Sequence, residues 1–309
     1  HQEEPETPIP VAVSSLMAVR PYYIGSTDPA HRRAWLGRQL AQALPMRNWD
    51  TYYMCVGGLS GFDGLVSLCH ASASVSRVVL FDRDEHALAY GHLMLTLIRN
   101  CPTRDHLLRA VFGRSPQSCM ASQPLTAGSM MDFLRLEVDV SFIRRMERAL
   151  PENLRPLFSA VVRAAAYGAD PDPDCHAIPR RRLWPCWGPG RRLHPMKEEL
   201  HGGFAETFHY GSVGWLATDG TYALLRNVLC HTEVTCKMLD LNEAALDEVR
   251  PRNDGHVLYM SNADENRKFL QSRHALERRL SKQCKAVLVV SCARVTLVTR
   301  GARQAELMA

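Results

Sequence analysis

Short apolar runs alternate with amphipathic stretches near the beginning of this chain. Two runs, at 52–56 and 77–81, stop at a glycine pair and at an aspartate, respectively. Apolar residues at helical spacing follow each run, at 63–71 and at 85–98. Because strands that alternate with helices build a parallel sheet, this region predicts a β-α-β-α unit and an α/β fold.

The same alternation returns after a long interval in which it is absent. Residues 103–167 have mainly helical spacing, and residues 168–195 are rich in proline, arginine and tryptophan, a composition that argues against regular structure. The elements predicted beyond this interval are strands at 208–216, 234–239, 257–260, 286–292 and 294–299, and helices at 218–229 and 264–283. Because almost nothing separates the last two strands, they predict an antiparallel hairpin.

These elements predict one α/β unit that is assembled from two parts of the chain. Residues 1–48 form an N-terminal arm and a helix (28–44) that together are a candidate lid. Residues 49–100 and 208–309 form a doubly wound, Rossmann-like, mostly parallel sheet. A large helical insertion after the second strand, 101–207, is expected to cap the substrate site at the carboxyl ends of the strands.

Composition narrows the class of protein. The 309 residues are 46% hydrophobic, which allows a sizeable core and excludes a disordered or fibrous chain. No run approaches 18 apolar residues, so we expect no membrane partner. The ten cysteines include no Cys-x-x-Cys pair, and several lie in apolar runs, which predicts a reduced, cytoplasmic protein. A net charge of +5 is only a weak argument for a polyanionic partner.

A glycine-rich turn with an acid downstream carries the main chemical signal. Residues 55–64 read Cys-Val-Gly-Gly-Leu-Ser-Gly-Phe-Asp-Gly, and Asp82 closes the next predicted strand. Glycines at a strand-to-helix turn allow a ligand close to the backbone, and an acid at the next strand end can accept both ribose hydroxyls. The pattern therefore predicts a nucleoside site. The alternative interpretation is a tight turn followed by a helix-capping aspartate.

With these residues the chain resembles the class I S-adenosylmethionine-dependent methyltransferase superfamily. The resemblance covers about 49–98 and 208–299. It implies a transferase with S-adenosylmethionine as cosubstrate, a glycine-rich loop beneath it, one acid on the ribose and a second near the adenine. The cofactor-binding residues that it implies are Gly57, Gly58, Gly61, Asp82, Asp240 and Tyr22.

The resemblance also implies candidates for the reacting centre. Ser261 and Asn262 follow the fourth strand, where the family's acceptor side usually lies. Tyr22 and Tyr23 precede the first helix and are expected either to face the sulfonium from a lid or to pack that helix against the sheet. His209, where the insertion rejoins the sheet, is a candidate general base or substrate anchor, although a single histidine also fits a structural role.

The chain departs from the family in three places. Cys55 stands where the family often has an acid, and Ser-Asn-Ala-Asp at 261–264 replaces the Asn/Asp-Pro-Pro-aromatic segment of amino-group methyltransferases. The usual helix before the final hairpin is missing. The leading function is methyl transfer to a small molecule, as in biosynthesis. An alternative is attack at the methionine side-chain carbon, which transfers a 3-amino-3-carboxypropyl group or cyclises it and releases methylthioadenosine.

Two further functions stay open. A nicotinamide-dependent oxidoreductase uses a similar turn, but the glycine spacing here does not match Gly-x-Gly-x-x-Gly. An RNA-binding module or RNA methyltransferase would use the arginines at 180–182 and 191–192, which are interleaved with Trp184 and Trp187. A small molecule is the preferred partner and nucleic acid the second choice. The oligomeric state is left open.

No metal is expected. The loop residues that could be interpreted as zinc ligands are Cys175, His176, Cys186 and His194. Structural zinc sites place their ligands as two closely spaced pairs, and this set lacks that spacing. The proline-rich composition of the loop accounts for the cluster equally well.

Overall fold

The computed structural model describes residues 22–23, 48–55, 59, 61–82, 85–114, 136–167, 186–187, 215–239, 255–261, 286–291, 295–299 and 305–307. The strands in these ranges are β1 (Tyr22–Tyr23), β2 (Asn48–Cys55), β3 (Ser74–Asp82), β4 (Cys186–Trp187), β5 (Glu233–Met238), β6 (Gly255–Ser261), β7 (Ala286–Ser291), β8 (Val295–Thr299) and β9 (Ala305–Leu307). The helices are α1 (Gly61–His70), α2 (Glu85–Asn100), α3 (Arg104–Phe112), α4 (Val140–Ala149), α5 (Arg155–Tyr167) and α6 (Asp219–His231).

Seven of these strands form one sheet in the order β5-β3-β2-β6-β7-β8-β9. The first five are parallel to their neighbours, and β8 and β9 add to the edge in antiparallel pairs. The predicted α/β class, the mostly parallel sheet and the final hairpin are therefore confirmed. The chain runs outward from β2 through β3 to β5 and then returns to β6 on the other side of β2, so the strand order reverses between β2 and β6.

The central strands form the core because they are apolar and covered on both faces. The last five residues of β3 are all buried, and so are residues 255–260 of β6 and four of the eight residues of β2. Helix α1 packs on β2 and β6, α2 packs on β3 and β5, and α6 lies against both helices. Residues 61–68 of α1 are all buried. A continuous apolar run is what a strand buried on both faces requires, which is why these strands were predictable.

Side-chain caps determine where several helices begin. Thr218 caps α6, since its hydroxyl accepts a hydrogen bond from the backbone N–H of Thr221, and the Thr221 hydroxyl receives one in return from the N–H of Thr218. Asp139 caps α4 by accepting from the N–H of Phe142 at 2.8 Å. Helix α3 ends at Gly113, whose φ of 61° is the left-handed conformation that glycine tolerates best.

Two predicted features differ from the structure. The described end of the predicted strand 208–216 is a turn, because the main chain of Trp215 is hydrogen-bonded to the Asp63 side chain rather than to a neighbouring strand. The predicted irregular loop 168–195 contains β4, which pairs with β1 in antiparallel register, Tyr22 opposite Trp187. Strand β9 was not predicted.

Several predictions fall outside the residues described. These are the helices predicted at 28–44 and 264–283. The division into an arm, a sheet unit and an insertion stays a prediction. Within the described ranges, no helix combines the length and the apolar character that crossing a bilayer requires.

Candidate functional site

The candidate site begins where the central parallel strands end. Cys55 ends β2 and Asp82 ends β3, and the Cys55 Sγ donates a hydrogen bond to Oδ2 of Asp82 over 3.6 Å. Asp82 is a buried polar residue, whereas Cys55 is partly exposed. The N–H of Leu239, which follows β5, donates to the Asp82 carbonyl over 3.0 Å. Three strand ends thus meet at one residue, Asp82, beside the point at which the strand order reverses.

Close packing after the glycine-rich turn brings α1 against β2. A Cβ added to Gly61 would lie 2.5 Å from the Cβ of Met54, so only glycine fits at this position. The hydroxyl of Tyr52 donates to the Gly61 carbonyl over 2.7 Å. Burial and, second, the nearby Asp63 carboxylate raise the pKa of Tyr52 well above its usual value, so the phenol stays a donor at neutral pH. Gly57 and Gly58 lie outside the described residues.

Leu59, which lies between the glycine pair and α1, has a strained backbone. Its φ is +53°, a left-handed conformation that costs a non-glycine residue about 1 kcal/mol. The Leu59 side chain is fully buried, and its carbonyl accepts from the N–H of Phe62 at 3.0 Å. Strained backbone of this kind persists only where surrounding contacts impose it, and it is concentrated at binding sites.

Asp63 fastens the first turn of α1 to a remote part of the chain. Its carboxylate is 1% exposed, and Oδ1 accepts from the backbone N–H of Trp215 at 2.8 Å. The ring of Trp215 meets Phe62 edge-on, with 5.5 Å between ring centroids. The acid also complements the positive end of the helix. In the sequence Asp63 was only one polar position in a predicted helix, and nothing local pointed to Trp215.

Arg104, the first residue of α3, binds the turn at residues 215–217 that Asp63 also contacts. Its guanidinium donates to the carbonyls of Leu216 and Ala217 at 3.2 and 2.6 Å, and its Nε lies 2.9 Å from Oδ1 of Asp219. The Arg104 side chain is fully buried. The turn is therefore anchored to both α1 and α3. This contact was not predictable from sequence, because 112 residues separate Arg104 from the first carbonyl it binds.

The remaining predicted residues are only partly covered by the described ranges. Ser261 is the last residue of β6 and lies opposite Ser291, after a shift in register between Tyr259 and Ser261. Tyr22 and Tyr23 form β1, whose partner β4 lies against α5. Predicted residues outside the described ranges are Asn262, His209, Asp240, Gly57 and Gly58.

The part of the chain that is described contains no cluster of side chains suited to bind a metal ion. No group of three or more histidine, cysteine, aspartate or glutamate side chains there is arranged to hold an ion. Of the loop residues considered for zinc, Cys186 lies in β4. The other three, Cys175, His176 and His194, fall outside the described ranges.

Gly64→Ala is expected to destabilise the fold by about 2 kcal/mol. A Cβ at this position would meet the Tyr52 hydroxyl and lie 2.6 Å from the ring of Tyr259, two fully buried side chains that have no room to move. The measurement is the free energy of unfolding in urea.

Gly220→Ala is the matched control, because Gly220 is also helical but its added Cβ would meet only the Thr218 hydroxyl, at 3.7 Å. This control is expected to be neutral or to stabilise by up to about 1 kcal/mol. Equal effects of the two alanines would contradict the close packing of α1 against the sheet.

Comparison with known proteins assigns no family. No protein-family model matches the sequence, and no curated protein matches it either.

Proposed function

We propose that this protein is an S-adenosylmethionine-dependent transferase with a Rossmann-like sheet. The observation that carries the proposal is the carboxylate of Asp82 at the end of β3, with Cys55 beside it at the end of β2. Numbered from β2, the parallel strands have the order 3-2-1-4-5, as in doubly wound nucleotide-binding sheets. Ligands of such sheets bind outside the carboxyl ends of the strands, where the order reverses.

The charges near the turn favour this cosubstrate over a dinucleotide. A dinucleotide places its pyrophosphate at the amino end of the first helix, where backbone N–H groups attract anions. Here the buried carboxylate of Asp63 already occupies the first turn of α1. A carboxylate in this turn opposes a pyrophosphate and favours a ligand with a sulfonium and an ammonium group. The glycine spacing, which differs from the dinucleotide pattern, supports the same choice.

The proposed reaction is an in-line displacement at the sulfonium. The acceptor atom forms a bond to the methyl carbon, and the methyl carbon–sulfur bond breaks with its electron pair going to sulfur. The acceptor's proton leaves, and the products are a methylated small molecule and S-adenosylhomocysteine. The protein contributes by holding the two reactants about 3 Å apart and excluding water.

The candidate residues are assigned to the following parts of this scheme. Asp82 accepts the ribose hydroxyls, and the glycine turn allows the nucleoside close to the backbone. The proposed roles of the other residues are adenine contact for Asp240, acceptor contact for Ser261 and Asn262, sulfonium contact for Tyr22 and Tyr23, and proton acceptance or substrate anchoring for His209.

Attack at the methionine side-chain carbon is a second candidate, and Cys55 favours it. An acid at this position would anchor the ammonium group of the methionine moiety, whereas the Cys55 thiol is engaged with Asp82. A differently held methionine chain can present its γ-carbon, and not the methyl group, to the nucleophile. The carbon–sulfur bond that breaks is then the one to the side chain, and methylthioadenosine leaves.

Product analysis by mass spectrometry tests the proposal. The protein is incubated with S-adenosylmethionine alone, with a deproteinised metabolite extract and with total RNA. We expect S-adenosylhomocysteine to form with the metabolite extract. Methylthioadenosine in place of it would select the second candidate, and methylation of RNA alone would favour the RNA methyltransferase. If no S-adenosylmethionine is consumed in any mixture, the proposal of a transferase is contradicted.

A further inference from the structure

The ends of β2 and β3 hold the Asp82 side chain in a defined place. The two strands pair in parallel up to Cys55 and Phe81, so the next residue, Asp82, projects beside the end of β2. Its main-chain carbonyl is held by the N–H of Leu239, and its Oδ2 accepts from the Cys55 thiol at 3.6 Å. The carboxylate is thus located by contacts to its backbone and to its side chain.

We propose that Cys55 is a positioning residue that orients the Asp82 carboxylate toward the ribose of the cosubstrate. The inference rests on the proposed function, since it concerns the same nucleoside site. A carboxylate offers about four acceptor positions, so a thiol donor at one of them can restrain its rotation while ribose hydroxyls donate at others. Cys55 therefore acts through Asp82 and does not itself bind the ligand.

A thiol at this position can donate a hydrogen bond to Asp82, which the ionised acid that the resembling family often carries there cannot do. A second carboxylate about as close to Asp82 as the Cys55 sulfur would repel it, because like charges at such distances oppose each other. The thiol supplies a donor without adding charge. The departure at Cys55 is therefore compatible with a working nucleoside site.

Removal of the Cys55 thiol is expected to cause only a modest loss of ligand affinity, because a thiol is a weak hydrogen-bond donor. Cys55→Ala is expected to weaken the binding of S-adenosylhomocysteine about two- to tenfold, the range of one ordinary hydrogen bond. Cys55→Ser keeps a donor and is expected to stay within about twofold of the wild type. Both variants keep a small side chain at a partly exposed strand end, so both are expected to fold.

A double-mutant cycle separates positioning from a merely structural role. Calorimetric titrations with S-adenosylhomocysteine compare the wild type, Cys55→Ala, Asp82→Asn and the double variant. If Cys55 acts through Asp82, the alanine weakens binding only where the aspartate is present. An equal loss in both backgrounds, or none in the wild-type background, overturns the inference and leaves the proposed function standing.

A comparison of ligands with and without the ribose 2′-hydroxyl gives a second test. This test does not require the weakly binding Asp82 variant. The wild type is expected to prefer S-adenosylhomocysteine over its 2′-deoxy analogue, and Cys55→Ala is expected to reduce that preference. An equal loss of affinity for both ligands would show a structural effect and overturn the inference. No binding of S-adenosylhomocysteine by the wild type would instead contradict the proposed function itself.

Discussion

Arg104→Met is expected to lower the free energy of unfolding by about 3 kcal/mol. The substitution keeps the apolar volume but removes the donors to the carbonyls of Leu216 and Ala217 and the partner of Asp219. Burial lowers the pKa of Arg104, an effect that Asp219 partly offsets, so the charge is tolerated in the interior only through these contacts. Asp219 is half exposed and can regain hydration, which keeps the loss at the lower end of the range for buried ion pairs.

Arg77→Met is the matched control for this experiment. Arg77 and Glu233 form an ion pair of nearly the same length, 3.1 Å, but both side chains are substantially exposed. Exposed pairs contribute about 0–1 kcal/mol, so the control is expected to change stability by less than about 1 kcal/mol. Urea unfolding of both variants is the measurement. Equal losses would contradict the anchoring of the turn by Arg104.

Asp82→Asn is expected to weaken the binding of S-adenosylhomocysteine about ten- to hundredfold. The amide keeps the size of the carboxylate but loses its charge, and hydrogen bonds to a charged acceptor are worth about 1.5–3 kcal/mol each. The measurement is calorimetric titration, with thermal unfolding to verify that the variant is folded.

Asp50→Asn is the control for the aspartate substitution. Asp50 lies in the amino-terminal half of β2, the strand that neighbours β3, and its Oδ2 accepts from the Thr51 hydroxyl at 3.0 Å. Because it is remote from the carboxyl end of the strand, its replacement is expected to leave the affinity unchanged. An Asp82→Asn protein that binds as tightly as the control would remove Asp82 from the ligand site.

The sheet was predictable from sequence because its centre is continuously apolar, but the strand ends were not. Strand β2 begins at Asn48, four residues before the predicted run, since its first half carries polar residues such as Asp50 and Thr51. Strand β3 likewise begins earlier, with Ser74, in a half where exposed positions alternate with half-buried ones. The polar half of a strand is therefore missed when strands are predicted from hydrophobic runs.

The candidate site likewise contains residues that were predictable from sequence and contacts that were not. Asp82 was predictable because an acid at the end of a strand is a local signal. The contact of Asp63 with Trp215 was not, because it joins residues 152 positions apart and each looks ordinary in its own segment. Cys55 was recognised only as a departure, and its role depends on an atom of the neighbouring strand. Local pattern therefore predicts which residues end strands, while long-range pairing decides what those residues contact.

Titration of the wild-type protein with S-adenosylhomocysteine, and separately with an oxidised nicotinamide dinucleotide, tests the central claim most directly. Both ligands carry a ribose for Asp82, but only the dinucleotide brings a pyrophosphate toward the carboxylate of Asp63 in the first turn of α1. We expect saturable one-site binding of S-adenosylhomocysteine and none of the dinucleotide. Saturable binding of the dinucleotide, or no binding of S-adenosylhomocysteine, would contradict the assignment of an S-adenosylmethionine site.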